Sequence, residues 1–237
     1  MTRRHVLTEC RATTVWLALC FFVGGRSLPR YLNGMVDYSM PLEAVTSFVA
    51  FGSELLSNPR PIGSAVPSSP FLARRMASYL PRAPRGYVIE LGAGTGAITA
   101  ALLKRGIPAG QIVCVERSET MVRLLKRRFP SLKIALGDAG DLRALLRAFL
   151  AREDIEVSHV VSSLPLRSLP ETVVTSIIRE VHAILPKEGK LVQYTYNLGR
   201  APHPCLSGFK RIRTTVVWAN VPPARLDVFQ KNGTPPF

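Results

Sequence analysis

The sequence predicts an α/β fold: a mostly parallel seven-stranded sheet with a C-terminal antiparallel hairpin and an N-terminal helical extension. Two observations carry this prediction. Apolar runs with the length of strands alternate with amphipathic stretches with the length of helices between residues 87 and 196, which is typical of a parallel sheet covered on both faces. The first strand also leads directly into a glycine-rich turn, as in α/β domains that bind nucleotides.

The length and composition fit one α/β domain with a modest appendage. The chain has 237 residues, of which 47% are hydrophobic and 20% are charged, so it can bury a full core and is not disordered. The formal net charge of +15 indicates a polyanionic partner, usually nucleic acid or an anionic membrane surface. The cysteines have neither disulfide nor metal-ligand spacing, so we predict reduced thiols and no metal site.

Residues 1–40 form an extension whose role the sequence leaves open. The apolar run at 15–23 follows several arginines but is too short to span a bilayer as a helix, which takes about 20 residues. Three interpretations remain: an export signal, an interfacial anchor, or translated upstream sequence with the true start at Met35 or Met40. We favour the last one, because the nucleotide chemistry described below requires a cytosolic cofactor.

Residues 41–84 are predicted to form a helical cap that faces a membrane and a substrate. A first helix at 41–57 has one apolar face, and it either packs on the domain or lies in a membrane interface. Its polar face carries glutamates and no Lys or Arg, which favours packing. Prolines and a glycine at 58–63 end this helix, and a second helix begins with Ser69 as its N-cap and Pro70 at the first helical position.

Residues 85–237 are predicted to form the main domain, in which strands and helices alternate. The strands are predicted at 87–91, 111–115, 132–136, 157–163 and 190–196, and the helices between them at 97–104, 118–128, 141–151 and 170–185. Two more strands, at 211–218 and 224–229, are joined by a proline-rich turn and form the C-terminal hairpin.

The glycine-rich turn, Gly92-Ala93-Gly94-Thr95-Gly96, follows Glu90 and leads into a helix. Glycines there permit a tight turn and let a cofactor lie against bare backbone. The next strand is followed by Glu116, about 20 residues further on, where a carboxylate accepts both hydroxyls of a ribose. The spacing differs from the G-x-G-x-x-G of dinucleotide-binding folds, and the absence of G-K-[ST] excludes a P-loop. The alternative is a loop without a ligand beside a solvated glutamate, but the pattern favours a nucleoside cofactor.

The segment at 88–96 resembles motif I of the class I S-adenosylmethionine-dependent methyltransferases, which have a Rossmann-like fold. Glu116 matches the ribose-binding acid of that family, and Gly137-Asp138-Ala139 matches the segment that contacts the adenine. The resemblance, over about residues 70–200, implies S-adenosyl-L-methionine as the cofactor. The cofactor-binding residues expected on this basis are Ser69, Glu90, Gly92, Gly94, Gly96, Glu116, Arg117, Asp138, Ala139 and Ser162.

The segment after the fourth strand, Ser162-Ser163-Leu164-Pro165-Leu166, is expected to face the methyl acceptor, and we call it the acceptor segment. Methyl transfer aligns an unprotonated nucleophile with the sulfonium methyl group. Amino-methyltransferases of nucleic acid place a polar residue, a proline, a proline or leucine, and an aromatic ring there, and the flipped base stacks on the ring. Here Ser163 takes the polar position and Leu166 the aromatic one, which argues against chemistry on adenine N6.

The acceptor segment and its neighbours resemble the bacterial phospholipid N-methyltransferase family, which carries S-G-L-P-L in this place. The other matching pieces are Asn58-Pro59-Arg60-x-x-Gly63, Val66-Pro67-Ser68-Ser69, Val192-Gln193-Tyr194-Thr195-Tyr196 and Trp218-x-Asn220-x-Pro222-Pro223. Ser163 replaces the family's glycine, and Tyr194 replaces a frequent phenylalanine. The resemblance implies successive N-methylation of phosphatidylethanolamine towards phosphatidylcholine, whereas some relatives methylate ornithine lipids.

The residues expected to act on the acceptor are Ser163, Leu164, Pro165, Tyr194 and Tyr196. The two tyrosines stand two positions apart on a strand, so their rings share a face and either attract the methylated cation or pack under a helix. Arg200 and Arg211 either hold the lipid phosphate or belong to a solvated basic loop. His203 is either a proton acceptor or a surface residue.

We predict a monomer that docks peripherally on the cytoplasmic face of the inner membrane, with an anionic membrane surface and a phospholipid as partners and no nucleic acid. The enzyme alternative is an rRNA adenine dimethyltransferase, which shares the glycine loop and explains the basic charge. Leu166 and the C-terminal strand pair disfavour it. The other alternative is a binding protein that keeps the cofactor fold without turnover.

Overall fold

The computed structural model describes residues 68–199, 201–220 and 222–232. The strands in this part of the chain are β1 (Tyr87–Leu91), β2 (Ile112–Glu116), β3 (Lys133–Leu136), β4 (Val157–Ser162), β5 (Lys190–Thr195), β6 (Phe209–Val217) and β7 (Ala224–Lys231). They form one seven-stranded sheet in the order β3-β2-β1-β4-β5-β7-β6. Strands β1 to β5 are parallel, and β7 runs antiparallel to both β5 and β6. The predicted fold class is confirmed.

The α-helices of the described residues are α1 (Pro70–Ala77), α2 (Ala97–Arg105), α3 (Glu119–Arg128), α4 (Leu142–Leu150) and α5 (Glu171–Ile184). Two of them begin at serine caps, because a hydroxyl oxygen satisfies an N–H that has no partner in the first turn. Ser69 Oγ accepts from the backbone N–H of Leu72 at 3.2 Å, and Ser118 Oγ accepts from that of Met121 at 3.3 Å.

The core has two layers, one on each face of the sheet. Buried side chains of α1, α2 and α3 pack on one face, and those of α4 and α5 pack on the other. Within the strands, neighbouring residues alternate between the two layers, as Val88 and Ile89 do in β1. Burial on both faces explains why the central strands read as continuous apolar runs.

The carboxyl ends of the parallel strands meet at one edge of the sheet, which we call the site edge. From β1 the next strands of the chain add on one side of the sheet, and from β4 they add on the other side. The sheet therefore has a switch point between β1 and β4, where α/β sheets bind ligands. Backbone bonds connect the loops at this edge: Gly92 N–H donates to Val115 O at 2.9 Å, and Gly137 N–H donates to Glu116 O at 3.0 Å. Because β7 is antiparallel to β5, the β6–β7 turn also projects from the site edge.

The predicted extension at 1–40 and the predicted helix at 41–57 lie outside the described residues. Of the predicted cap, residues 68–84 are described, and Leu72, Met76 and Leu80 pack into the same core layer as α2. Within the described ranges, the helices lack the length and apolar character needed to cross a membrane.

Candidate active site at the carboxyl edge of the sheet

The glycine loop between β1 and α2 has a backbone that few residues other than glycine adopt. Gly92, Gly94 and Gly96 have φ values of +72°, +53° and +83°. A Cβ on Gly96 would lie 2.5 Å from Phe129 Cε2, so this glycine also lets the loop approach α3 closely. The loop is held from the same helix, because Arg128 Nη1 donates to Thr95 O at 2.7 Å. We did not predict Arg128, whose position at the end of a helix gives no local signal.

Gly94 faces open space. A Cβ built there has no described heavy atom closer than Gly92 O, at 4.0 Å. A bare backbone with free volume above it is what a nucleoside cofactor requires at this position. The described residues therefore fit the cofactor that the sequence predicts.

The Glu116 carboxylate is held beside this loop. Its Oε2 accepts from Gly94 N–H at 2.9 Å, and its Oε1 accepts from the N–H groups of Arg117 and Ser118, both at 2.9 Å. A carboxylate offers about four acceptor positions, so it retains capacity for a ribose hydroxyl. Glu116 is thus oriented before a ligand binds, and Arg117 contributes through its backbone.

Asp138 and Ala139 follow β3, next to Glu116. Asp138 is exposed, and its Oδ1 accepts from Gly140 N–H at 2.7 Å, whereas Ala139 is buried. Since Glu116 pairs in register with Leu136, the two acids stand on neighbouring strand ends. The predicted ribose and adenine contacts are therefore brought to one side of the glycine loop.

Glu90 is fully buried below the glycine loop. Its Oε2 accepts from Thr99 Oγ1 at 2.7 Å and from Cys114 Sγ at 3.5 Å, while Oε1 has no hydrogen-bond partner among the described residues. Burial raises the pKa of Glu90 to about 7, although the bonds from Thr99 and Cys114 oppose this shift. Burial likewise raises the pKa of Cys114, which keeps it a thiol.

The acceptor segment closes the site on the β4 side. Ser163 N–H donates to Leu91 O at 2.9 Å, and Ser162 Oγ accepts from Leu164 N–H at 3.3 Å. A Cβ on Gly92 would lie 2.8 Å from Leu164 Cδ2, so the acceptor segment touches the glycine loop. The structure thus brings the predicted cofactor and acceptor residues together.

A cavity of about 340 Å³ opens behind the acceptor segment. Pro165 and Leu166 form one wall, and the end of β5, from Gln193 to Asn197, forms another. Its size suits a small polar ligand or head group. Gln193 connects the two walls, because its Nε2 donates to Leu164 O at 2.9 Å. We assigned no role to Gln193 from the sequence.

Tyr194 and Tyr196 stand at this end of β5 and share a face, as predicted. Their ring centroids are 5.6 Å apart at an interplanar angle of 75°. Both rings pack partly against the core layer of α1, and both residues line the cavity. Burial raises the pKa of each hydroxyl, so both stay neutral. The packing interpretation describes one side of these rings, and cation binding stays a prediction.

Arg211 is engaged in an ion pair. Its Nη1 lies 3.7 Å from Oδ1 of the buried Asp227, whose Oδ2 accepts from Arg225 Nε at 3.0 Å. Arg211 keeps 34% of its side chain exposed, so it also reaches solvent. Arg200, the other predicted phosphate contact, lies outside the described residues.

His203 is poorly arranged as a proton acceptor. Its Nδ1 accepts from the backbone N–H of Cys205 at 3.3 Å. In the neutral ring the other nitrogen then carries the proton, so no lone pair is left over. Burial and the nearby Arg167 lower the pKa of His203.

Ser69 is tied to the β6–β7 turn. Its N–H donates to Asn220 Oδ1 at 3.1 Å, and Asn220 Nδ2 donates to Pro222 O at 2.7 Å. The Ser69 hydroxyl already caps α1, so its predicted contact with the cofactor stays a prediction. The sequence could not show this connection, since the two segments are 151 positions apart.

Comparisons with known proteins identify the kind of domain. The profile of the family described as "Methyltransferase domain" matches residues 88–189. The ornithine lipid N-methyltransferase of Singulisphaera acidiphila is 32% identical over 148 residues, covering 62% of this chain and 77% of that protein. A probable ribosomal RNA small subunit methyltransferase A of Halobacterium salinarum is 38% identical over 101 residues, but only 34% of that protein is matched.

Solved structures share the fold. The 1,6-didemethyltoxoflavin-N1-methyltransferase of Burkholderia thailandensis, solved with S-adenosylhomocysteine, superposes with a TM-score of 0.54 at 14% identity, covering 83% of this chain and 93% of that one. TrmN from Thermus thermophilus has a TM-score of 0.53 at 20% identity, covering 68% of this chain and 48% of that one. The 32% identical lipid N-methyltransferase, the family profile and the glycine loop, on a fold that these structures share, establish that the chain belongs to the class I S-adenosylmethionine-dependent methyltransferases, with S-adenosylmethionine as its cofactor.

Proposed function

We propose that this methyltransferase acts on the amino head group of a membrane lipid, with phosphatidylethanolamine as the predicted acceptor. The observation that carries the proposal is the acceptor segment, which lies between the glycine loop and the cavity. Position 166, where base-methylating enzymes place an aromatic ring, holds a leucine that is 6% exposed and packs in the core. A flipped base would have no ring to stack on, whereas an amine needs none.

The relative named ornithine lipid N-methyltransferase also supports a lipid amine. Its name favours ornithine lipid as a second candidate acceptor. The likeness to the ribosomal RNA enzymes covers 40% of this chain, so it supports an RNA acceptor less well.

When bound, S-adenosylmethionine supplies an electrophilic methyl group on a sulfonium sulfur. The neutral amine would present its lone pair to this methyl group, sulfur would keep the electron pair of its bond to that group, and the product amine would release a proton to solvent. The residues of this chain orient the acceptor: the bond from Ser163 N–H to Leu91 O holds the acceptor segment against β1. The ring faces of Tyr194 and Tyr196 are proposed to attract the methylated cation. Arg211, with Arg200, is proposed to attract the head-group anion.

Expression in a host that lacks phosphatidylcholine is expected to produce methylated derivatives of phosphatidylethanolamine. The readout is thin-layer analysis of lipid extracts labelled through methionine. A Gly94→Ala variant is the control, because its added methyl group occupies space that the cofactor is expected to need. Label in ornithine lipid alone would select the second acceptor, and label in RNA without any labelled lipid would contradict the proposal.

We propose that the site edge docks on a bilayer. Trp218 stands in the β6–β7 turn and is 71% exposed, and Leu198, after β5, is also exposed. Tryptophan favours the membrane interface. The α1 helix, whose start is tied to this turn, carries the exposed Arg74 and Arg75, which suit anionic lipid.

Replacing Trp218 with serine is expected to weaken binding to phosphatidylglycerol-containing vesicles by about tenfold, which corresponds to partial burial of one aromatic side chain. Vesicle flotation measures the partition coefficient. Ile212→Ser is the matched control, because Ile212 is exposed along β6 and away from the turn. If both variants float like the wild type, or if neutral vesicles bind as well as anionic ones, the proposed docking is wrong.

A further inference from the structure

We infer that Gln193 binds the nitrogen of the methyl acceptor: its side-chain oxygen accepts an N–H of the amine and so directs the nitrogen lone pair. This inference rests on the proposed function, because it requires an amine at the acceptor segment. Gln193 lies on β5 and pairs in register with Ser162, the first residue of the acceptor segment. It therefore stands beside the place where the acceptor is proposed to bind.

The orientation of the Gln193 amide follows from two carbonyl groups. Its Nε2 donates to Leu164 O at 2.9 Å and to Tyr194 O at 2.8 Å. Carbonyl oxygens accept hydrogen bonds and cannot donate them, so the amide nitrogen must face them. Both N–H groups are thereby used, and the remaining hydrogen-bonding capacity of this side chain is that of an acceptor.

The oxygen of this amide lacks a partner. Gln193 is 7% exposed and lines the cavity, and its Oε1 is buried without a hydrogen bond from any described residue. Buried polar atoms in native proteins are nearly always paired, so an orphaned acceptor on a cavity wall indicates a ligand that brings a donor. For the amine acceptor proposed above, that donor is an N–H.

Two other side chains on the cavity wall, Asp227 and His203, are already satisfied as acceptors, whereas the buried hydroxyl of Tyr196, like Gln193 Oε1, has no hydrogen-bond partner among the described residues. Asp227 Oδ1 accepts from Thr214 Oγ1 at 2.6 Å, and Asp227 Oδ2 accepts from Arg225 Nε at 3.0 Å. Nδ1 of His203 accepts from the backbone two residues further on. An amine that enters the cavity therefore finds its acceptor at Gln193 Oε1 rather than at the carboxylate or the imidazole.

The number of N–H groups on the acceptor makes the inference specific. A neutral primary amine has two N–H groups, a secondary amine has one, and a tertiary amine has none. A bond to Oε1 leaves the lone pair of the first two directed away from Gln193. Gln193 thus assists the first and second methyl transfers and cannot assist a third through this bond.

The test is Gln193→Met, which keeps the length of the side chain and removes its polar atoms. Initial rates are measured in mixed micelles with phosphatidylethanolamine and its N-methyl and N,N-dimethyl forms, and with the corresponding ornithine lipids. We expect the ratio of the primary-amine rate to the tertiary-amine rate to fall about tenfold relative to the wild type. An effect that lowers the rate on every substrate equally, such as loss of the bond to Leu164 O, leaves this ratio unchanged.

Gln230→Met is the matched control, because Gln230 Nε2 also donates to a carbonyl, that of Lys187 at 3.2 Å, but at the opposite end of the sheet. Its rate ratio is expected to equal that of the wild type. An equal loss on all substrates would make Gln193 a tether of the acceptor segment and overturn the inference, as would an unchanged ratio. A wild type that binds S-adenosylmethionine but methylates none of these lipids would instead contradict the proposed function.

Discussion

Replacing Gly94 with alanine is expected to weaken S-adenosylmethionine binding by about 10- to 100-fold, the cost of forcing an extra methyl group into a filled space. In the empty protein the new Cβ meets no described atom closer than 4.0 Å. The stability of the fold therefore falls by only about 1 kcal/mol, which is the cost of placing an alanine in the left-handed conformation at a φ of +53°. Isothermal titration calorimetry measures the affinity, and urea unfolding measures the stability.

Gly106→Ala provides the matched control. Gly106 has a φ of +95°, ends α2, and has no described heavy atom within 4 Å of a built Cβ. It is expected to lose about the same stability as Gly94→Ala while binding the cofactor normally. Equal cofactor affinity in the two variants would show that the space above Gly94 is not where the cofactor lies.

Raising the pH from about 4 to about 8 is expected to remove about 3 kcal/mol from the free energy of unfolding of the cofactor-free protein through Glu90. The pKa of Glu90 is about 7 in the folded state, against an ordinary value of 4.5. Below the ordinary value the carboxyl group is protonated in both states, so its contribution is fully present. As the pH rises towards 7, the unfolded chain releases the proton first, and stability falls until the folded state ionises as well.

Glu90→Gln isolates this effect, because the amide has a similar shape and does not titrate in this range. The difference in urea-derived stability between wild type and variant is expected to grow with pH in favour of the variant. Parallel stability curves would contradict burial of an ionisable Glu90. We also expect the variant to bind S-adenosylmethionine more weakly, since Glu90 is a proposed cofactor residue whose Oε1 is left without a described partner.

Local signals predicted much of the site. The glycine loop requires positive φ values, which glycine adopts without strain, and the structure has them at the three predicted positions. Ser69 caps a helix as predicted, and Ser118, which we predicted as the first residue of a helix, caps that helix instead. Glu116 is next to the glycine loop because parallel neighbouring strands end at the same edge of a sheet. Each of these features depends on a few consecutive residues or on one strand pairing.

Other features could not be derived from neighbouring residues. The hairpin was predicted, but its second strand, β7, lies between β5 and β6, and that order depends on which edge β5 offers to the hairpin. The ion pair of Arg211 with Asp227 across the β6–β7 ladder has no local signal, and the predicted contact of Arg211 with a phosphate stays a prediction. The side-chain amide of Gln193 is oriented by a hydrogen bond to the carbonyl of Leu164, which is 29 positions away.

The sequence by itself determined the fold class and the elements that carry the cofactor site, because backbone conformation, helix caps and hydrophobic periodicity act over short stretches of chain. The identity of the cofactor followed from the resemblance of these elements to a known family. Tertiary structure alone decided which polar groups remain without partners. Glu90 Oε1 and Gln193 Oε1 are buried and unpartnered among the described residues, while Cys114 and Leu164, which lie on other segments of the chain, bond to the other polar atom of each side chain. Burial and hydrogen-bond satisfaction are properties of the packed molecule, and they assign Gln193 its proposed role.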